Sequence, residues 1–600
     1  MRIRQSLIIC CLIALTFTHQ NLDARVVRLK KTVPLQEQLI TPHTIYVVKH
    51  KFDLHGSILE VPEYVSIKIK KGGIVNGTII GNHTELIVSR RVPSVFKDIS
   101  ISGKWNNKEV RGEWLDFSQD TTCDNYHNFV NLMCLANGDC LTNVYMQSGE
   151  FYTSIPNNGS ALIIPSNTCF HNEATIRVIP NSWKRYSLIY INNVTNVTID
   201  GGMYVGDVIG HKSTEGEWGH GIKCSGATNV LIKNLALKEF WGDGIDLIEG
   251  LNDQNEAIVD CRNVQIINVR CLHNRRQGLS IEAAHDVLIK DSEFAFTGYL
   301  KSTLPSAGVD IEPWQANGPK ISNITFDSCS FHDNYGYDLH VVPNRLLDDK
   351  AFVEHENSIL LHNCNIGLLN VGSANGITFR SCQIGDSVKS LKGRGGFVAG
   401  NNLGILKVYR SNMDLCNSTI INNIEDIFVL DIQNTNTEMS LNFNMYDCSV
   451  TSNGNKKTGK YLYAFNLATS NCRLSNNIFN VSQGLIFRSS VPQKSHEQIV
   501  ISDNTFNLIA NSWYSACLTF RTLNNKNIYN NIEIYNNAFA GFKSVLANDN
   551  NSHTIRYAGK TNIPIEQFKS MSKIHYQDGS VRSGQNGLEK YENGSWNLIN

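Results

Sequence analysis

NVLIKNLAL, from Asn229 to Leu237, decides the fold because its frame of alternating apolar positions, a polar turn and a further apolar pair returns along most of the chain. It recurs as NVQIINVRC from Asn263, DVLIKDSEF from Asp286 and NITFDSCSF from Asn323, and then as SILLHNCNI, GITFRSCQI, NFNMYDCSV, QIVISDNTF and NIEIYNNAF. Alternation with period two indicates strands, and a short unit repeated this often indicates a solenoid with one continuous core. Parallel strands connected in this way wind right-handed. We therefore predict an all-β fold, a right-handed single-stranded parallel β-helix.

One column of the repeat holds mainly cysteine and asparagine. Alignment of the copies places in it Leu235, Val269, Ser292, Cys329, Cys364, Cys382, Cys448, Asn477, Asn504 and Asn537. Side chains stacked ~4.8 Å apart can pack, or hydrogen-bond amide to amide, along the solenoid axis. We expect this column to point inward and its thiols to be inert. The alternative is thiol chemistry or metal binding by Cys329, Cys364 and Cys382.

A second strand precedes each copy and exposes a row of acidic residues. These strands begin at Gly221, Gly244, Gly278, Gly308 and Asp338. Because alternate side chains of a strand point outward and equivalent positions stack, we expect four consecutive coils to bring six residues onto one face. The predicted catalytic residues are Asp243, Asp246, Glu282, Asp310, Glu312 and His340.

Crowded carboxylates repel one another unless something uses or neutralises their charge, which favours a functional site over a solvated surface. Asp310 and Glu312, in AGVDIEP, are expected at its centre. Asp246 and Glu282 are expected about 8 Å apart at the backbone, within the separation that inverting glycoside hydrolysis requires. The alternative interpretation is a set of mutually paired surface groups.

Aromatic and basic residues flank the same coils. Aromatic rings beside carboxylates suit sugars, whose apolar faces stack on them, and arginine can hold an acidic sugar. The predicted substrate-binding residues are Trp218, Trp241, Trp314, Arg275 and Arg276.

The two ends of the chain differ from the repeat. Arg2, Arg4 and an apolar run from Leu7 to Phe17 predict a signal peptide over 1–24, and therefore a secreted, periplasmic or cell-surface protein. We predict an N-terminal cap with entry coils over 25–123, the β-helix over 124–560 and a C-terminal cap over 561–600. A short helix is expected from Asp124 to Ala136.

Composition restricts the partners. The 54 Lys and Arg equal the 54 Asp and Glu, so no overall basic footprint for nucleic acid is present. No segment after the signal is long and apolar enough to predict a membrane span. Neither paired CxxC motifs nor Cys and His at zinc spacing occur, so we expect no structural metal.

WGDGIDL, RRQGLSIE and PSAGVDIEP, after a linker that contains Glu113 and Trp114, resemble the pectate-lyase-like β-helix superfamily. That resemblance spans roughly Ser57 to Gly541 and implies an exported, glycan-active bacterial protein: a polysaccharide lyase, a glycoside hydrolase, an epimerase or a tailspike.

Comparison with the polygalacturonases of this superfamily is informative. WGDGIDL resembles their first acidic motif, with Asp243 at the matching position. Gln277 stands where their histidine would be, the paired-aspartate motif is missing and no RxK strand follows, so that specific activity is not implied.

Three functions remain open from the sequence. The leading one is an exported glycoside hydrolase with an acid and a base carboxylate and no cofactor. The second is a lyase or epimerase on a uronate-containing glycan, in which Arg275, Arg276 and the acids would serve, with Ca²⁺. The third is a non-catalytic glycan-binding or adhesin-like solenoid. The sequence leaves the glycan and the oligomeric state undetermined.

Overall fold

The structure is a computed structural model that describes most of the chain from residue 25 to residue 599. The segments left out of this description are 90–91, 253, 255, 316–319, 396–403, 425–426, 437, 454–464, 490, 510–515, 523–528, 549–553, 559–572, 577, 579 and 585–586. The predicted signal peptide, 1–24, lies outside the described residues. The chain divides into two compact units, Met1–Trp105 and Asn106–Asn600.

The first unit is built from parallel strands. Their bounds are Arg25–Arg28, Thr44–Val48, Lys51–Asp53, Ile58–Glu60, Ser66–Ile69, Gly73–Val88 and Phe96–Trp105, with one short helix at Leu35–Gln38. Within it, Arg25–Arg28 pairs with Thr44–Val48, which pairs in turn with Ser66–Ile69. Alternate residues of these strands are buried, for example Ile67 and Ile69, as the alternation in the sequence predicts.

The second unit contains a sheet of fourteen parallel strands, which we call the site sheet. In sheet order its strands are Ser160–Ile163, Arg185–Asn192, Trp218–Ser225, Ile245–Ile248, Gln277–Ile281, Ala307–Ile311, Leu339–Val341, Leu369–Gly372, Gly404–Tyr409, Phe428–Asn434, Phe465–Thr469, Leu485–Ser489, Ala516–Thr522 and Ser544–Asn548. Sheet order equals chain order, so each coil of the solenoid contributes one strand. The fold is the parallel β-helix that the repeat predicts.

The remaining strands of each coil form two further parallel ladders. Their bounds are Glu109–Arg111, Thr142–Thr153, Thr168–Val178, Thr195–Asp200, Met203–Val205, Thr228–Lys238, Cys261–Leu272, Ala284–Lys290, Glu293–Ala295, Ile321–Asp327, Ser330–His332, Ile359–His362, Asn365–Ile366, Asn375–Arg380, Gln383–Ile384, Asn412–Cys416, Thr419–Asn422, Asn442–Tyr446, Ser449–Ser452, Asn471–Ser475, Ile478–Val481, Ile499–Ser502, Thr505–Leu508, Ile532–Tyr535, Ala538–Ala540, Thr554–Ala558 and Lys573–Tyr576. The motif NVLIKNLAL lies in Thr228–Lys238 and pairs in register with Cys261–Leu272.

The cysteine and asparagine column points into the solenoid, as predicted. All ten of its residues are buried. The Asn477 Nδ2 donates to Asn504 Oδ1 and the Asn504 Nδ2 donates to Asn537 Oδ1, both at 2.9 Å. The cysteines of the column are free thiols. Burial raises the pKa of Cys448 to about 12, so this thiol stays protonated and unreactive at neutral pH.

The outer turns carry a second amide ladder. Asn196, Asn229 and Asn263 all adopt positive φ, near 50–60°, a conformation that asparagine tolerates better than most residues. The Asn229 Nδ2 donates to Asn196 Oδ1 at 3.1 Å, and the Asn263 Nδ2 donates to Asn229 Oδ1 at 2.8 Å. The frequent asparagines of the motif therefore stabilise the turns of successive coils.

The ends of the second unit also follow the sequence. The predicted helix is present at Tyr126–Leu135, and its buried residues include Phe129 and Leu132. The tail forms a three-stranded antiparallel sheet from Val581–Gly584, Gly587–Glu592 and Ser595–Leu598. Shorter elements are the 3₁₀ turn Gly112–Trp114, the helix Asp349–Glu354 and a hairpin of Gly250–Leu251 with Ala257–Val259.

Candidate active site

Four neighbouring strands of the site sheet bring the predicted acids together. The strand register pairs Asp246 with Ser280, Ser280 with Asp310 and Asp310 with His340. The side chains between them along each strand, such as Leu247 and Ile311, are fully buried in the core. Asp246 and Asp310 therefore point outward on one face, which we call the acid patch together with Asp243, Glu282, Glu312 and His340.

Asp243 and Asp246 share a histidine, and Asp243 also pairs with an arginine. The His220 Nδ1 lies 3.4 Å from Asp243 Oδ2, and its Nε2 lies 3.7 Å from Asp246 Oδ2. The Arg276 Nη1 donates to Asp243 Oδ2 at 2.9 Å and lies 4.0 Å from Glu282 Oε1. Arg276 thus balances part of the negative charge of the patch.

Gln277 links this group to Asp310. Its Oε1 accepts from Arg276 Nη1 at 2.6 Å, and its Nε2 donates to Asp310 Oδ2, also at 2.6 Å. On the other side, the His340 Nδ1 lies 3.3 Å from Asp310 Oδ1. The glutamine that replaces the expected histidine therefore completes a polar chain across four coils, from Asp243 to His340.

Glu282 and Glu312 form the more accessible edge of the patch. Their side chains retain 12% and 22% of their exposure, whereas Asp243 and Asp310 are almost fully covered. The Arg345 Nη1 lies 2.5 Å from Glu312 Oε1. Glu282 and Glu312 are thus the carboxyls that a ligand can reach most directly.

Four acids of the patch have raised pKa values. Burial raises the pKa of Asp243 to about 8 despite the opposing charge of Arg276, and it also raises the pKa of Asp246. Burial, and then the charge of Asp246, raises the pKa of Glu282 well above its ordinary value. Burial and the charge of Asp310 raise the pKa of Glu312. The patch can therefore hold protons at neutral pH, as a general acid must.

The two histidines behave differently. Burial, reinforced by Lys223 and Arg276, lowers the pKa of His220 well below its ordinary value, so its neutral form predominates at pH 7. For His340, burial acts in the same direction, but the facing Asp310 outweighs it and the pKa is raised.

Of the three tryptophans that were predicted to bind substrate, one is buried and two are exposed. Trp241 is only 2% exposed, because His211 stacks on it at 3.9 Å and Arg275 lies 3.8 Å from its ring centre. We expected Trp241 and Arg275 to bind substrate, but both side chains are buried. Trp218 and Trp314 are 38% and 49% exposed and remain available.

The sequence did not single out several residues of the site. His220, Gln277 and Arg345 make the contacts described above, and Glu249 accepts a hydrogen bond from Trp314 Nε1 at 2.6 Å. His220 and Gln277 directly precede the strand-starting glycines, in the same column as Asp243, and that column was the available signal. Arg345 follows its strand in a connection, where no periodicity applies.

The patch does not fit a calcium ion. Among the residues that the structure describes, no group of three or more His, Cys, Asp or Glu is arranged to hold a metal. Arg276 lies near both Asp243 and Glu282, and Arg345 pairs with Glu312, so cationic side chains already neutralise these acids, which would otherwise be available as oxygen ligands.

Comparison with known proteins gives partial relatives. No family model matches the chain. It is 30% identical over 195 residues to the SPbeta prophage-derived uncharacterized protein YorA of Bacillus subtilis (strain 168), covering 30% of this chain and 33% of that protein. It is 33% identical over 165 residues to the uncharacterized protein YclG of the same organism, covering 26% and 28%. The alignments span about a third or less of these curated relatives.

Similar solved structures have low TM-scores. The mannuronan C-5 epimerase AlgE4 A-module of Azotobacter vinelandii has a TM-score of 0.38 at 10% identity, covering 74% of this chain and 99% of that one. The N-terminal fragment of bacteriophage Phi29 gene product 12 has a TM-score of 0.35 at 13% identity, covering 82% and 96%. Within the described residues, no helix is long and apolar enough to cross a membrane.

Proposed function

We propose that the protein is a carbohydrate-active enzyme that hydrolyses glycosidic bonds with inversion at the acid patch. The observation that carries the proposal is the proximity of two carboxyl groups in different surroundings: Glu282 is partly exposed and has a raised pKa, whereas Asp310 is buried and accepts a hydrogen bond from Gln277. In the strand register these residues are one coil and two residues apart, about 8 Å at the backbone. Inverting enzymes hold their two carboxyls roughly 6.5–9.5 Å apart, with water between them.

Glu282 is the proposed general acid. Its pKa is raised by burial and by Asp246, which favours the protonated form that a general acid needs, and its partial exposure lets it reach the oxygen of the leaving group. The Ser280 hydroxyl lies 3.4 Å from its Oε1 and helps to hold it.

Asp310 is the proposed general base. Gln277 donates a hydrogen bond to its Oδ2, and its Oδ1, 3.3 Å from His340 Nδ1, is the oxygen proposed to accept a proton from a water molecule on the opposite side of the sugar. Trp218 and Trp314 supply exposed rings on which sugars stack. The leader-like residues 1–24 favour action outside the cytoplasm.

The test is turnover on a broad panel of polysaccharides, measured by new reducing ends, with the anomer formed first identified by NMR. We expect Asp310→Asn to reduce kcat about 10²–10⁴-fold with the fold intact. Asp327→Asn, which changes an acid on another face, is the matched control. Near-normal turnover of a folded Asp310→Asn protein would remove Asp310 from the mechanism and leave Asp243 with Asp246. Binding without turnover by the wild type would favour the adhesin-like alternative.

A lyase or epimerase acting on a uronate is the second candidate. The neutral His220 between Asp243 and Asp246 favours it, because a neutral imidazole can take the proton next to a uronate carboxylate. A lyase would release an unsaturated uronate, which absorbs in the ultraviolet, whereas a hydrolase would not. His220→Gln would abolish that signal.

A further inference from the structure

The zero net charge of the chain conceals an uneven distribution. Residues 25–105 carry 13 Lys and Arg against 6 Asp and Glu, a net charge of +7, whereas residues 106–600 carry 39 against 47, a net charge of −8. The first compact unit is therefore strongly basic, although the whole protein is neutral. Charge concentrated on one unit acts on partners locally, within about one Debye length of ~8–10 Å.

Five lysines of this unit converge on one corner of its coils, which we call the lysine corner: Lys31, Lys49, Lys51, Lys70 and Lys71. The strand register aligns Val48 with Ile69, so Lys49 and Lys70, the next residues, lie one coil apart. Lys51 pairs with Gly73 in the adjoining ladder. The lysines are exposed and line a recess of about 670 Å³ together with His50.

The backbone is built to bring these charges close. Gly72 has φ near +83°, and a Cβ at this position would lie 2.2 Å from the backbone carbon of His50. Only glycine allows the turn after Lys71 to pack directly onto the preceding coil. The close packing of this turn on the preceding coil keeps the lysines on either side of it near one another, where like charges repel.

Little within the described chain neutralises this repulsion. The ion pairs among the described residues include none of the five lysines. The pKa of Asp53 is lowered mainly because its carboxylate accepts a hydrogen bond from the backbone N–H of His55, and the charge of Lys51 makes a smaller contribution. Stacked like charges of this kind are destabilising, so a bound anion would stabilise the corner.

The shape and composition of the corner indicate which anion it binds. The coil repeat of ~4.8 Å is comparable to the length of one sugar in an extended polysaccharide, so successive lysines can meet successive acidic sugars. No Phe, Tyr or Trp side chain lines the recess, whereas single-stranded nucleic acids are held largely by stacking on such side chains. A concave recess also fits a narrow polymer better than the flat surface of a bilayer.

We propose that the lysine corner is a docking site for a linear acidic polysaccharide, separate from the acid patch. The preference for a polysaccharide rests on the proposed function, whereas the attraction for a polyanion rests on the corner itself. The corner would hold the polymer by charge, independently of the bond that the acid patch cleaves.

The probe is polygalacturonate, with uncharged dextran, duplex DNA and vesicles of anionic phospholipid as comparison ligands, and the full-length protein is used throughout. Lys49→Glu/Lys70→Glu changes two charges of the corner, and Lys108→Glu/Lys543→Glu makes the same change at two exposed lysines elsewhere. We expect the corner variant to bind polygalacturonate about tenfold or more weakly, with a shallower dependence on salt. The control variant should bind as the wild type does.

Equal binding by the wild type and both double variants, or no binding of polygalacturonate by the wild type, would overturn the proposal. Stronger corner-dependent binding of DNA or of vesicles than of polygalacturonate would also overturn it and identify the other polyanion. Because Asp310→Asn tests turnover and the corner variant tests capture, failure of the proposed hydrolase leaves this result standing, and the reverse also holds.

Discussion

Asp243→Asn tests the electrostatics of the acid patch through the stability of the folded protein. Burial raises the pKa of Asp243 from 3.8 to about 8, so the folded protein keeps a proton on this residue that the unfolded chain releases above pH 4. A group whose pKa is higher in the folded state contributes stability below its unfolded pKa and loses it as pH rises towards the folded pKa. Each pH unit in that window corresponds to about 1.4 kcal/mol. From pH 5 to pH 8, Asp243 should therefore reduce the free energy of unfolding by about 3–4 kcal/mol.

Asparagine keeps the shape of Asp243 and cannot ionise, so the variant should lack this loss. We expect the difference in unfolding free energy, variant minus wild type, to rise by about 3–4 kcal/mol between pH 5 and pH 8, measured by urea denaturation with tryptophan fluorescence. Asp327→Asn is the control. Partial burial acts to raise the pKa of Asp327, but hydrogen bonds from His362, Ser328 and Lys290 lower it overall. The contribution of Asp327 to stability is therefore constant above pH 5. A pH-independent difference for Asp243→Asn would refute the raised pKa and the idea that the patch stores protons.

Four further predictions follow from the site and the core. Glu282→Gln should remove the alkaline limb of the kcat/KM profile, because the wild type loses activity as pH rises through the raised pKa of Glu282. Gln277→Leu, which breaks both links of the polar chain, should lower kcat about 10–10²-fold with little change in KM, as steady-state kinetics will measure. Asn504→Leu should destabilise the protein by about 2–4 kcal/mol in urea because four buried hydrogen bonds of the side chain are lost, whereas Asn507→Leu, at a partly exposed position, should cost about 1 kcal/mol or less. A thiol reagent should modify the partly exposed Cys123 in the native protein but leave Cys364 and Cys382 unmodified, and rapid labelling of the latter two would contradict the coil alignment.

The sequence predicts the framework of the site because strand periodicity alone decides which side chains share a face. Asp246, Asp310 and His340 occupy equivalent positions on the first, third and fourth of four consecutive coils, so their alignment follows from the residue that starts each strand. The inward cysteine and asparagine column follows from the same alternation. The outward acids and the inward column can both be predicted from the two-residue period of the strands and the alignment of the coils, and the sequence shows both of these.

Contacts that depend on connections were not predictable in this way. Trp241 was expected to bind sugar, but His211, from the irregular segment before Trp218, covers one of its faces. The link from Arg276 through Gln277 to Asp310 depends on side-chain conformations that no periodicity specifies. Arg345 reaches Glu312 from a turn after Leu339–Val341. These residues are positioned by tertiary packing, which a single sequence does not report.

The alternation of inward and outward residues also affects how this protein can evolve. Beyond His340, the outward column of the site sheet continues through Asn370, Lys407, Asp431 and Asn466, each paired with the next. Each outward residue can change without altering the inward residues that hold its coil in place, and duplication of one coil would lengthen the face by ~4.8 Å without a new core. The residues that determine ligand preference can therefore change one coil at a time, while the hydrophobic interior stays the same.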